Sequence, residues 1–389
     1  MKKRLLKGKK KLFLFLYRHF FMKLPLKSKV IVFESFRGKY YSDNPKNIYE
    51  YLKANHYDYT YVWIVKNRRV EIPGKPERVK RFSLRYYYYL ARAKYRVMNS
   101  RLSRNLQKPN GVVYLQTWHG TPLKKLALDM DEVHIPGITA EAYKRNFVKE
   151  TKKWDYLISP NYYSTKIFRR AFDFQGKIIE SGYPRNDILY NWNETDVVRI
   201  RQKLKIPSGK KVILYAPTWR DNEYYVKGQY KFELQLDLER MKTRLGDEYV
   251  ILLRMHYFIA NQFDVAPYSD FAFDVSDYDD IAEIYIISDI LITDYSSVFF
   301  DFANLKRPML FFMYDLESYR DKLRGFYINI EKELPGPILE SEGEVISAIE
   351  NIDQFSTQYK PRLDAFYTRF CSFEDGYASE RVVNEVFGQ

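Results

Sequence analysis

From residue 28 onward, short runs of β-branched and aromatic residues alternate with stretches whose apolar positions recur at helical spacing. In the first half, residues 29–33, 59–65, 95–98, 112–115 and 156–158 read as strands. Residues 44–55, opened by Asn44 and Pro45, and residues 164–172 read as helices. A second series starts at 212–215 and continues through 250–253, 271–273, 290–292 and 309–312, with helices at 281–287 and 297–305. Alternating βα units predict parallel sheets covered by helices, so two series predict an α/β protein with two doubly wound, Rossmann-like domains. Asn, Pro, Ser and Gly collect at 187–209, where the series join. The expected organisation is a leading segment 1–27, a domain 28–205 and a domain 206–389, whose last helix can pack back on the first domain.

Unusual polar residues recur just after the predicted strands. The first half has Glu34-Ser35-Phe36-Arg37-Gly38, Asn99-Ser100, Thr117-Trp118-His119-Gly120-Thr121-Pro122, Ser159-Pro160-Asn161 and 181–187. The second half has Ala216-Pro217-Thr218-Trp219-Arg220, Arg254-Met255-His256 and Thr293-Asp294-Tyr295-Ser296-Ser297. Ligands of open α/β sheets bind beyond the carboxyl ends of the strands. The clustering therefore predicts an enzyme with a cleft between its two sheets.

Composition narrows the choice. The 389 residues carry 64 Lys and Arg against 49 Asp and Glu, a net charge of +15 that suggests a nucleic-acid binder until it is located. Eleven of the basic residues precede the first acidic one, Glu34, which leaves 53 basic against 49 acidic side chains in the body. One cysteine, Cys371, excludes an internal disulfide framework, and five histidines without HExxH or HxH spacing argue against a histidine-rich metal centre. Residues 2–11 are dense in Lys and Arg, and the apolar run 12–17 follows. Lysines over an aromatic and leucine face suit a helix lying on an anionic membrane. A basic tail docked on the body, or one touching nucleic acid, is the alternative.

Three clusters carry candidate chemistry. Residues 293–297 follow a strand and open a helix, where backbone N–H groups and two hydroxyls can hold an anion. Capping alone, by Asp294 or Ser296, is the plain alternative. Arg254 and His256 fall on one side of an extended strand end and can bind a diphosphate, or Arg254 can simply pair with a carboxylate. His119 stands in a Gly/Pro-kinked loop where a general base is expected, although a strand-end histidine is often structural. No Walker loop and no GxGxxG after the first strand is present, which removes P-loop and standard dinucleotide-binding readings.

Gln116-Thr117-Trp118-His119-Gly120-Thr121-Pro122-Leu123, Ser181-Gly182-Tyr183-Pro184-Arg185-Asn186-Asp187, Tyr215-Ala216-Pro217-Thr218-Trp219-Arg220, Arg254-Met255-His256, Thr293-Asp294-Tyr295-Ser296-Ser297 and Leu334-Pro335-Gly336-Pro337 together resemble the CDP-glycerol glycerophosphotransferase family of wall teichoic acid synthesis. The resemblance spans about residues 30–377 and is closest to the shorter priming or initiating members. It implies a GT-B architecture at the cytoplasmic membrane face, with CDP-glycerol as donor and a polyprenyl-diphosphate-linked saccharide or glycerol-phosphate acceptor. It implies no cofactor, metal or nucleic acid, and leaves oligomeric state open. Carried over by motif, His119 and His256 are the catalytic pair. The donor set is Arg185, Thr218, Arg220, Arg254, Ser276, Asp277, Thr293, Asp294, Ser296 and Ser297, with 275–277 near the cytosine. The acceptor set is Ser35, Arg37, Trp118, Gly120 and Thr121. CDP-ribitol is the rival donor. A nucleotide-sugar glycosyltransferase and a non-enzymatic basic binder are the more distant readings.

Overall fold

The computed structural model describes residues 2–67, 70–103, 105–133, 138–218, 224–226, 229–230, 234–255, 265–316 and 325–388, with backbone alone for 2–7, 224–226 and 229–230. The chain divides into two compact units. The first comprises Met1–His119, Leu126–Asp187 and Phe373–Gln389, and the second Gly120–Lys125 and Ile188–Ser372.

The first unit is built on a seven-stranded sheet. Its strands in chain order are β1 (Lys27–Glu34), β2 (Thr60–Val65), β3 (Glu77–Lys80), β4 (Ala93–Met98), β5 (Val113–Gln116), β6 (Tyr156–Ser159) and β7 (Lys177–Glu180). All neighbours are parallel and the spatial order is β3-β2-β1-β4-β5-β6-β7. Central strands read as near-continuous apolar runs because both faces are covered. One face sends Ile31, Phe33, Trp63, Val97, Leu115 and Ile158 into a core completed by Ile48 and Leu52 of a helix, Asp43–Ala54, and by Val382, Val383 and Val386 of the last helix, Ala378–Phe387.

The second unit repeats the plan with six parallel strands, in the order Ala272–Asp274, Tyr249–Leu253, Lys211–Ala216, Ile290–Thr293, Met309–Phe312, Ile338–Leu339. Ile213, Ile251, Leu253 and Ile292 form its core with Met241 and Leu245 from one helix and Val345 and Ile349 from another. In both sheets the first strand lies beside the fourth, so winding reverses there. Such switch points open a crevice at the strand carboxyl ends.

The short segment Gly120–Lys125 belongs to the second unit. The N–H of Lys125 donates to the carbonyl of Gly325 at 2.9 Å, and that of Tyr327 to Leu123 at 2.9 Å. A Cβ on Gly120 would lie 3.0 Å from Ser297 Oγ, so the two residues are packed closely.

The leading basic residues form a helix, α1 (Lys2–His19). One side of it docks. Tyr17 is buried, its hydroxyl donates to the Gln107 carbonyl at 2.5 Å, and its ring and that of Phe13 meet Tyr87. Tyr87 comes from the tyrosine run, which folds as the helix Leu84–Arg92 with Tyr86 and Tyr87 inward. Leu12, Phe15 and Phe20 remain about half exposed beside exposed Lys9, Lys10 and Lys11. Among the described residues no helix is long and apolar enough to cross a membrane.

Candidate functional site

The first unit gathers polar groups at its switch point, where β1 and β4 adjoin. Asn99, directly after β4, is the hub. Its side-chain oxygen accepts the N–H of Phe36 at 2.8 Å, its amide donates to Ser35 Oγ at 3.3 Å, and its main-chain carbonyl lies 2.8 Å from Nδ1 of His119. A carbonyl can only accept, so Nδ1 carries the proton and the neutral ring presents its lone pair on Nε2. His119 is exposed as a residue, yet the Trp118 ring lies 4.5 Å from its imidazole and the Phe36 ring 6.1 Å away. Desolvation pushes its pKa below the usual 6.5, against the opposing pull of Asp43 and the Asn99 bond, and Arg185 and Arg101 push it down further. A neutral imidazole at neutral pH with a free Nε2 is the form a general base needs.

Trp118 holds the loop in place. Its φ of +53° is the left-handed region, uncomfortable for so large a residue and typically worth about 1–3 kcal/mol of strain. The surroundings enforce it: the N–H of Trp118 donates to Gln116 Oε1 at 3.0 Å, and the Asn44 amide donates to the Thr117 and Trp118 carbonyls at 3.3 and 3.4 Å. The buried indole packs against Phe172 at 4.6 Å and Phe168 at 6.1 Å. It therefore anchors His119 from beneath. Ser35 is likewise fully buried and supports Asn99, whereas Arg37 is exposed in a left-handed turn.

Arg185 sits with this group, in the first unit. Its guanidinium donates to Asp43 at 3.1 Å with both side chains buried, and lies over the Tyr183 ring. The turn that carries it is fixed by Glu374, which accepts the N–H of Tyr183 and the amide of Asn186, each at 3.0 Å.

The second unit assembles the remaining described donor candidates at its own switch point. Asp294 is buried and accepts the N–H of Thr218 at 2.7 Å, while Thr293 Oγ1 donates to the Ala216 carbonyl at 2.8 Å. Ser297, not Asp294 or Ser296, occupies the cap of the short helix Val298–Phe302, and its hydroxyl makes no capping bond. Ser296 and Ser297 are half-buried. Gly120 packs against Ser297, and buried Thr121 follows it. Arg254 donates to the carbonyls of Val275 and Tyr278, and Ser276 Oγ accepts the N–H of Met255 at 3.0 Å. These bonds shape the loop 275–278, on which Asp277 is exposed. His256 and Arg220 lie outside the described residues. No cluster of three or more metal-ligating side chains occurs among the described residues.

Sequence reasoning left out Asp43, Asn99 as a hub, Arg101 and Glu374. Asn99 was visible as a polar residue at a strand end. Glu374 is remote in sequence and becomes legible only through the fold.

Comparison with known proteins adds to this geometry. The family model for CDP-Glycerol:Poly(glycerophosphate) glycerophosphotransferase matches residues 16–388. The chain belongs to this transferase family. It is 53% identical to the teichoic acid poly(glycerol phosphate) polymerase of Bacillus subtilis over 99% of its own length, but spans only 52% of that relative. It is 48% identical to the teichoic acid glycerol-phosphate transferase of Staphylococcus aureus, covering 94% of each chain. Solved structures of the wall teichoic acid polymerase TagF superpose with a TM-score of 0.93 at 49% identity, covering 100% of this chain and 95% of that one. One TagF variant was soaked with CDPG.

Proposed function

We propose that this protein transfers glycerol phosphate from CDP-glycerol to a hydroxyl of a polyprenyl-diphosphate-linked acceptor in wall teichoic acid synthesis, releasing CMP. The observation that carries the reading is the state of His119, a neutral imidazole fixed through Nδ1 with Nε2 open at the strand ends. The acceptor oxygen attacks the β-phosphorus of the donor. Its proton passes to Nε2 of His119, a new O–P bond forms, and the bridging P–O bond breaks with its electron pair leaving on CMP. A positioned base of this kind contributes roughly 10²- to 10⁴-fold. Asn99 sets the tautomer and Trp118 the loop.

In this reading the second unit holds the CDP moiety. Ser296 and Ser297 present hydroxyls and the N–H groups of a helix start towards the diphosphate, and 275–277 lie near the cytosine. His256 and Arg220 complete the set by motif. Asp294 and Thr293 are occupied in tying strand ends together, and Arg254 in shaping its loop, so their first duty is support. Phosphoryl transfer depends mainly on such positioning and electrostatics.

Membrane association is part of the proposal. The half-exposed Leu12, Phe15 and Phe20, next to three exposed lysines, form an apolar and cationic edge suited to anionic headgroups at the cytoplasmic face. The other side of α1 is docked, so the helix joins surface to body.

The test is CMP release by purified protein with a synthetic lipid-disaccharide acceptor, comparing CDP-glycerol, CDP-ribitol and nucleotide sugars. Acceptor-dependent release from CDP-glycerol, lost in His119→Ala, supports the proposal. Turnover only with CDP-ribitol or a sugar nucleotide overturns the donor assignment.

A further inference from the structure

Two arginines flank the switch point of the first sheet. Arg37 lies three residues beyond the end of β1, and Arg101 three beyond β4. The same hub fixes both turns, since Asn99 bonds Phe36 on one side and precedes Arg101 by two residues on the other, while holding His119. Arg37 is exposed. Arg101 is half-buried, its guanidinium 4.2 Å from the centre of the Phe147 ring and 5.6 Å from that of Tyr143.

The local charge does not balance. Three acids act on this region, and each already holds a basic partner: Glu34 with Arg81 at 3.3 Å, Asp43 with Arg185 at 3.1 Å, and Glu150 with Lys153 at 2.6 Å. No ion pair of Arg37 or Arg101 is formed among the described residues; Arg101 has a hydrogen bond with the Tyr143 side chain, desolvation lowers its pKa, Tyr143 and Glu150 pull it back up, and Arg37 adds a smaller push down. Bringing two cations together beside a neutral imidazole is unfavourable unless an anion joins them. The position is the crevice in which such sheets bind ligands, and arginine pairs suit planar, bidentate contact with phosphate oxygens.

Building on the proposed reaction, we infer that Arg37 and Arg101 form a phosphate subsite beside His119 that takes the phosphodiester adjoining the attacking hydroxyl of the acceptor. The family description names a poly(glycerophosphate) acceptor, and the arginines select for such a terminus over a bare saccharide one. Arg101 acts as a ligand here, steadied by the Phe147 face against which it lies.

The experiment uses the full chain with two acceptors that share the lipid diphosphate and disaccharide and differ by one terminal glycerol phosphate. Arg37→Gln and Arg101→Gln are compared with wild type for kcat and KM on each. In parallel, calorimetry measures binding of a soluble glycerol phosphate dimer without donor. The expected result is a loss of about 10- to 100-fold in kcat/KM on the phosphate-bearing acceptor, mostly in KM, since charge-assisted hydrogen bonds of this kind are worth ~1.5–3 kcal/mol. The bare acceptor and the KM for CDP-glycerol change less than about threefold, and dimer binding weakens in both variants. Equal loss on both acceptors assigns the arginines to the lipid diphosphate or to structure and overturns the inference, as does unchanged dimer binding. If Arg101→Gln fails to fold, exposed Arg37→Gln decides by the same criteria. Wild-type binding of the dimer without any CDP-glycerol turnover would sink the proposed reaction and leave the subsite standing.

Discussion

The backbone N–H of Thr218 donates to the buried carboxylate of Asp294 at 2.7 Å, joining the two strand ends that flank the switch point of the second sheet. Asp294→Ala strands that N–H and is expected to lower stability by about 1–3 kcal/mol in urea denaturation. Asp294→Asn retains an oxygen acceptor and loses less. An alanine variant as stable as wild type would show that the bond does not hold the loops.

Activity should follow the protonation of His119. Its pKa is held below 6.5 chiefly by desolvation, so the acidic limb of the kcat/KM profile is expected below pH 6.5. The same shift makes the unfolded chain the better proton binder between the lowered value and 6.5, so stability falls as pH drops through that window. His119→Gln should lose roughly 10²- to 10⁴-fold in turnover. An acidic limb centred above 6.5 contradicts the assignment.

Glu150 gives a stability signature of the opposite sign. Burial raises its pKa to about 7, outweighing Lys153. Between 4.5 and 7 the folded state keeps a proton that the unfolded chain has released, so this group destabilises the protein as pH rises through that range. Glu150→Gln should gain on wild type by on the order of 3 kcal/mol on going from pH 4 to pH 8, measured by denaturation at both. A pH-independent difference would refute it.

The proposed membrane binding can be tested apart from folding. Removing residues 1–27 would strip buried Tyr17 from Tyr87 and reach the first residue of β1, so deletion damages the body. Replacing Leu12, Phe15 and Phe20 by serine leaves the docked side intact. Retention on anionic vesicles is expected to fall more than about 10-fold, because each burial is worth ~1.5–3 kcal/mol when complete. Turnover on a soluble acceptor should persist. Unchanged vesicle retention would remove α1 from the membrane proposal.

Much of the architecture was legible because buried parallel strands are apolar on both faces. The expected helix at 281–287 coincides with Ile281–Ile287, and the central strands differ from expectation by a residue or two at their ends. The edge strands Glu77–Lys80 and Lys177–Glu180 escaped notice. Each buries one residue and is otherwise charged or part-exposed, so neither period nor composition marks it. The tyrosine run 86–89 hid a helix because tyrosine favours strands when read locally. At the candidate sites, sequence marked the strand ends and the motifs. It did not distinguish side chains available to a ligand from those, such as Ser35, Thr293 and Trp118, whose polar or apolar groups are spent on the scaffold. That distinction depends on partners distant in sequence.

The return of residues 373–389 to the first unit bears on how the chain is made. Asp187 accepts the N–H groups of Ala378 and Ser379, each at 2.8 Å, and Glu374 braces the turn that carries Arg185. On the ribosome, that turn emerges well before its braces, with residues 188–372 synthesised in between. The second unit can mature first, while the core around Ile31 and Phe33 waits for Val382 and Val386 to close over it. The Arg185–Asp43 pair thus gains its full support late in synthesis, and a chain stalled before residue 373 would display an open apolar sheet face for chaperones to cover.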